Sequence, residues 1–203
     1  GGRFDAGMLY YCPQIWCSDN TDAIERLRIQ YGTSFGYPMS SVSAHVSVCP
    51  NHQNHRVTPF KTRGICAMQG TFGYELDLSK MTDEEKKMAG EQIAFFKEHG
   101  RLFQFGDYYR LTSPFENRDY TVWEYAAQDG SEACMSVVYT DMYANAASEI
   151  VKWKGLDPKK VYQMQLDGED AGNFSGAALM HAGILLPLPE QNYDAFQIYL
   201  KAE

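Results

Sequence analysis

The chain has 203 residues, 44% hydrophobic and 22% charged, which are the proportions of a folded globular protein with room for one large domain or two small ones. A net charge of −8 and a pI near 5.1 argue against nucleic acid, whose phosphates reward Lys and Arg, and against a basic helix on a membrane surface. No apolar run approaches the length needed to span a bilayer.

In chain order, the glycine-rich residues 1–7, with Arg3 and Asp5, read as a tight loop leading into an apolar run, Met8 to Trp16, expected to be a buried strand bent by Pro13. That strand ends abruptly on Trp16-Cys17-Ser18-Asp19-Asn20-Thr21-Asp22, a polar cluster with two carboxylates. A helix is expected from Asp22 to Tyr31, with Ile24, Leu27 and Tyr31 on its apolar face and Glu25, Arg26 and Gln30 elsewhere. Ser43 to Val48 reads as a second strand, Thr58 to Met68 as a helix with Pro59 in its first turn, and Phe72 to Leu78 as a third strand. Thr82-Asp83-Glu84-Glu85 is a capping box opening a helix to about His99, with Met88, Ala89, Ile93 and Phe96 as its stripe. This alternation of strand and helix is the signature of βα units around a parallel sheet; three such units are only a portion of a barrel.

From about Asp107 the period changes to two. Tyr120–Ala127 and Glu132–Tyr139 flank Asp129-Gly130, a hairpin signal. Tyr162, Met164 and Leu166 alternate with polar residues, as do Phe196, Ile198 and Leu200. The expectation is an antiparallel β-sandwich over residues 107–203, following barrel-type units over residues 1–106.

A strand that delivers an acid at its C-terminal end is how barrel enzymes place catalytic groups, and an aromatic beside it suits a sugar's apolar C–H face. Asp19 or Asp22 could equally cap the helix; their spacing lets Asp22 take the cap and leaves Asp19 free. Cys49, His52 and His55 offer metal-ligand types but lack the fourth partner of a structural zinc site, so no metal is expected and His52 reads as lining a pocket or bonding to backbone. Lys152, Lys154, Lys159 and Lys160 read as a solvated turn, Trp123 and Trp153 as core or surface aromatics, and His181 as a core histidine. The five cysteines (12, 17, 49, 66 and 134) show no disulfide framework and are expected to be reduced thiols of a cytoplasmic protein. The start at Gly1-Gly2-Arg3, without Met, points to a fragment.

The run Trp16–Ser34, WCSDNTDAIERLRIQYGTS, resembles the acid/base segment of the α-galactosidases of glycoside hydrolase family 36. GGRFDAGMLYY before it, then PNHQ (50–53), FGYELDL (72–78), GDYYRLTSPFE (106–116) and SGAALM (175–180), resemble the same family in the same order. The resemblance implies the C-terminal portion of a (β/α)8 TIM barrel followed by an antiparallel β-sandwich domain. It implies a retaining α-galactosidase acting on raffinose- or melibiose-type α-galactosides, with Asp19 as acid/base, Trp16 in the galactose pocket, and no cofactor. It leaves open a homo-oligomer, a tetramer, of the full-length protein. The family's nucleophile is an Asp in a Lys-x-Asp motif upstream of this segment; nothing here matches it, since Lys154-Gly155-Leu156-Asp157 has the wrong spacing and lies in the sandwich. An acid that is protonated near neutral pH also needs partial burial and a negative neighbour. Two alternatives stand beside this reading: a non-catalytic carbohydrate-binding or interaction module, and a galactosyl-transferring or α-N-acetylgalactosaminidase relative.

Overall fold

A computed structural model describes residues 5–203, so the loop expected at the start of the chain lies largely outside the described residues. The chain divides into two compact units, Gly1–Gln104 and Phe105–Glu203.

The first unit carries helices α1 (Ala23–Thr33), α2 (Phe60–Ala67), α3 (Asp83–Glu98) and α4 (Gly100–Phe105), and strands β1 (Val46–Ser47) and β2 (Tyr74–Glu75). Among the described residues its pairings are parallel: Ile15 with Val42, Ser43 with Thr71, and β1 with β2. The βα order is therefore as expected, but the strands are short. The expected strand Met8–Trp16 does not form. Asp5 accepts the Gly7 N–H and caps a 3-10 turn over Ala6–Tyr10, Pro13 has no N–H for a ladder, and only Ile15 reaches a partner. Met8, Tyr10 and Tyr11 are accordingly exposed.

The core of this unit joins Ala44 and Val46 to Phe60 and Ala67 of α2 and Ala89 of α3, with Phe72, Tyr74 and Met88 against it. Ile93, expected in the α3 stripe, is exposed, whereas Gln92 turns inward, accepting from the Tyr74 hydroxyl at 2.8 Å. The capping box of α3 forms as the sequence prescribes, Thr82 with the Glu85 N–H and Glu85 with the Thr82 N–H. Gly70 sits so close to the neighbouring strand that a Cβ there would lie 2.4 Å from the Val42 carbonyl oxygen; only glycine fits.

The second unit is a six-stranded antiparallel sheet of β3 (Asp107–Arg110), β4 (Tyr120–Ala126), β5 (Glu132–Tyr139), β7 (Val161–Leu166), β8 (Glu169–Ser175) and β10 (Ala195–Ala202), in the order β3-β4-β5-β10-β7-β8. A two-stranded ribbon, β6 (Ile150–Val151) with β9 (Ile184–Leu185), and the short helix α5 (Gly176–His181) accompany it. One face of the sheet buries Val122, Met135, Val137, Met164, Ile198 and Leu200 with Trp153 and Leu179. Trp123 and Trp153 are both fully enclosed. Lys160 is not a solvated turn residue: its ammonium donates to the carbonyls of Asp129 and Gly130 and ties down the β4–β5 hairpin. His181 is exposed, not in the core, because α5 is short and buries only Gly176 and Leu179.

Candidate active site

Two acids lie at the junction before α1, and the fold gives them different tasks. Asp22 is buried, accepts the Glu25 N–H at 3.3 Å as the N-cap, accepts from Asn54 Nδ2 at 3.1 Å, and pairs with the Arg56 guanidinium. Asp19 makes no such bond to its helix. Its Oδ1 accepts the indole N–H of Trp16 at 3.0 Å, and its backbone carbonyl accepts from Gln53 Nε2 at 3.1 Å. Helix capping is thus accounted for by Asp22. Replacing Asp22 by Ala should lower stability by about 2 kcal/mol, the loss of a cap plus a partly screened ion pair. Asp22→Asn, which keeps an acceptor for Glu25, should recover about half of that loss in urea midpoint.

Trp16 is 45% exposed, and its ring stacks on the His45 imidazole, centroids 4.5 Å apart and planes 6° from parallel. Burial, reinforced by the Arg26 charge, brings the His45 pKa down to about 4. The imidazole is therefore neutral near pH 7. Its Nε2 lies 2.9 Å from Glu75 Oε2, but this is no ion pair, and neither ring nitrogen has a well-aligned hydrogen bond among the described residues. His45 serves as a flat, uncharged platform for Trp16.

The Pro50–Gln53 loop secures the turn from the other side. Asn51, buried, accepts from the Gln53 and Asn54 N–H groups and donates to the Thr21 hydroxyl at 3.0 Å; Gln53 Oε1 accepts the Thr21 N–H at 3.2 Å. His52 is exposed, its Nδ1 3.5 Å from the Thr21 hydroxyl, and it bonds to no backbone group among the described residues. Cys49 is half-buried and His55 exposed, and no group of three potential ligands is gathered among the described residues.

Beneath the turn lies Arg26, expected off the apolar face of α1 but 2% exposed. It donates to the carbonyls of Ser18 (3.0 Å), Asn20 (3.1 Å) and Ser43 (2.7 Å), to Cys17 Sγ (3.3 Å) and to Gln30 Oε1 (3.0 Å). Gln30, also buried, donates to the Cys66 carbonyl and to Gln69 Oε1. The buried face of α1 is therefore largely polar. An apolar-periodicity reading misses such a face; the one available signal was the i, i+4 spacing of Arg26 and Gln30. Asp19 itself is exposed, so the described residues do not supply the partial burial a proton donor requires.

The described residues thus bring together short parallel βα pairings, a carboxylate that does not cap its helix and an indole bonded to it, and comparison with known proteins places the chain in a family. The Melibiase family model matches residues 1–106, and that of the glycosyl hydrolase family 36 C-terminal domain matches residues 120–200. The chain belongs to glycoside hydrolase family 36. It is 53% identical over 197 residues to the bifunctional α-galactosidase/sucrose kinase AgaSK of Mediterraneibacter gnavus, covering 97% of this chain and 21% of that protein. It is 49% identical over 202 residues to the α-galactosidase AgaA of Geobacillus stearothermophilus, covering 100% of this chain and 27% of that one. The crystal structure of AgaA superposes with a TM-score of 0.94 at 48% identity over 100% of this chain and 27% of its own, and a variant of AgaA in complex with raffinose, with the same coverage and identity, superposes at 0.93. The chain thus spans about a quarter of the length of these relatives. Its fold is the C-terminal portion of a (β/α)8 barrel followed by an antiparallel β-sandwich domain.

Proposed function

We propose that this chain is the C-terminal part of a retaining α-galactosidase that hydrolyses raffinose- or melibiose-type oligosaccharides, with Asp19 as the acid/base and Trp16 at the galactose subsite. The observation that carries this reading is the division of labour between the acids: Asp22 caps α1, while the Asp19 carboxylate is oriented by an indole N–H. That bond occupies Oδ1; Oδ2 has no partner among the described residues. The Trp16 that orients the acid is also partly exposed, an aromatic of the kind on which a sugar's C–H groups pack.

In this reading residues 1–106 complete the catalytic barrel and residues 107–203 form the β-sandwich domain. The second carboxylate, about 5–5.5 Å from the first in a retaining enzyme, comes from the barrel upstream. It attacks the anomeric carbon while Asp19 protonates the departing glycosidic oxygen. Asp19 then takes a proton from the water that releases the sugar. The upstream part of the barrel also supplies the walls that cover Asp19. The 203-residue chain expressed alone should therefore show no turnover of raffinose or of an aryl α-galactoside, whereas the full-length protein hydrolyses both. Turnover by the isolated chain would refute the assignment, and raffinose binding by a full-length protein that never cleaves it would mark a non-catalytic carbohydrate-binding module.

A further inference from the structure

Arg26 makes more contacts than a residue of a solvated helix face requires. Its guanidinium is almost fully enclosed, and its described partners are all neutral: three carbonyls, a thiol and an amide oxygen. Burying a cation against neutral groups is unfavourable unless its donors are satisfied, and five bonds satisfy them here. The choice of acceptors singles the residue out, because Ser18 and Asn20 immediately precede and follow Asp19.

The third carbonyl, that of Ser43, belongs to the neighbouring parallel segment, two residues before the His45 on which Trp16 stacks. The Arg26 guanidinium carbon also lies 5.9 Å from the centre of the Trp16 ring. Gln30 continues the link, joining Arg26 Nε to the Cys66 carbonyl at the end of α2 and to Gln69. The geometry points to Arg26 as a positioning residue that clamps the peptide on both sides of Asp19 to the adjacent barrel segment and so sets the direction of its carboxylate. A planar five-donor fork can hold three carbonyls at once; an ammonium on a flexible stem cannot hold them in the same fixed arrangement. This inference rests on the assignment of Asp19 as acid/base.

The test uses the full-length protein with Arg26→Met and Arg26→Lys, alone and combined with Asp19→Ala, on raffinose and on p-nitrophenyl α-galactoside. Displacing a catalytic group by about 1 Å can cost about 10²-fold. Arg26→Met should therefore lose about 10²-fold in kcat/KM on raffinose, whose leaving oxygen needs a proton in the first, glycosylating step. On the activated aryl substrate the loss should be about tenfold or less, and in the Asp19→Ala background Arg26→Met should add about twofold or less. Equal losses on both substrates, with additive effects in the double variant, mark a merely structural residue and overturn the clamp. Arg26→Lys keeps the charge without the fork and stands in if Arg26→Met does not fold; it should show the same selective pattern to a smaller degree, and an unselective loss or none overturns the proposal. If Asp19→Ala alone loses both substrates equally and azide restores neither, the acid/base reading fails and the clamp falls with it. A selective Asp19→Ala beside an unselective Arg26→Met removes the clamp alone.

Discussion

In the full-length protein, Asp19→Ala is expected to lower kcat/KM for raffinose by about 10²- to 10⁴-fold, the usual range for removing a general acid/base. The loss on p-nitrophenyl α-galactoside should be smaller, because that phenolate leaves without being protonated. With such a substrate the glycosyl-enzyme still forms, and its breakdown becomes limiting because no base activates water. Added azide, a nucleophile that needs no base, should restore turnover and yield a galactosyl azide. Steady-state rates on both substrates, with and without azide, decide the matter: equal losses and no rescue would show that Asp19 moves no proton in the reaction. The prediction follows from a carboxylate held by one indole N–H and free of its helix, with Asp22 capping α1 in its place. Had Asp19 been the cap, the same substitution would be a stability change read mainly in the unfolding midpoint.

The second large effect concerns stability in the sandwich. Glu124 is completely buried on β4 and, by the period of two, shares the face of Tyr120, Val122 and Ala126, which lie in the core; its cross-strand partner Met135 is also a core residue. Its carboxyl oxygens accept the Lys154 backbone N–H at 3.3 and 3.0 Å. Burial raises its pKa from 4.5 to about 8, and the Lys154 N–H and charge offset this only in part. Between those two values the folded protein holds a proton that the unfolded chain has released. Stability is thus fully present at the acid end of this window and falls as pH rises through it, by about 1.4 kcal/mol per pH unit at most. Glu124→Gln removes the slope. Relative to the parent it should gain on the order of 3–4 kcal/mol between pH 5 and pH 8.5, read as the change in difference between unfolding midpoints. A difference that does not move with pH would mean that Glu124 is already ionised in the folded protein.

Local patterns were legible wherever the physics was local. The capping box at Thr82–Glu85 depends on four consecutive residues and formed as written. The Asp129-Gly130 hairpin sits where the sequence places it, with Gly130 at a positive φ of 63°. The same chemistry at Asp167-Gly168, both at positive φ, turns β7 into β8. That hairpin was missed because β8 is an edge strand, exposed along nearly its whole length, with no alternation for a hydrophobic pattern to reveal. The Met8–Trp16 run failed for the opposite reason: its apolar residues promised burial, but a side-chain cap at Asp5 and a proline at 13 direct the backbone away from a ladder.

By itself the sequence determined the family and the order of βα units followed by antiparallel strands, because each rests on neighbouring residues whose preferences agree; for the two acids it offered only a spacing that lets Asp22 take the cap, and the fold made that assignment. Only the tertiary structure decided that Arg26 and Gln30 point inward, that Asn51 and Gln53 fasten the Asp19 turn, and that His45 underlies Trp16. The physical reason is that a polar side chain carries no burial preference of its own; its place depends on carbonyls and rings from segments 17–39 residues away, which meet it only when the parallel strands come together.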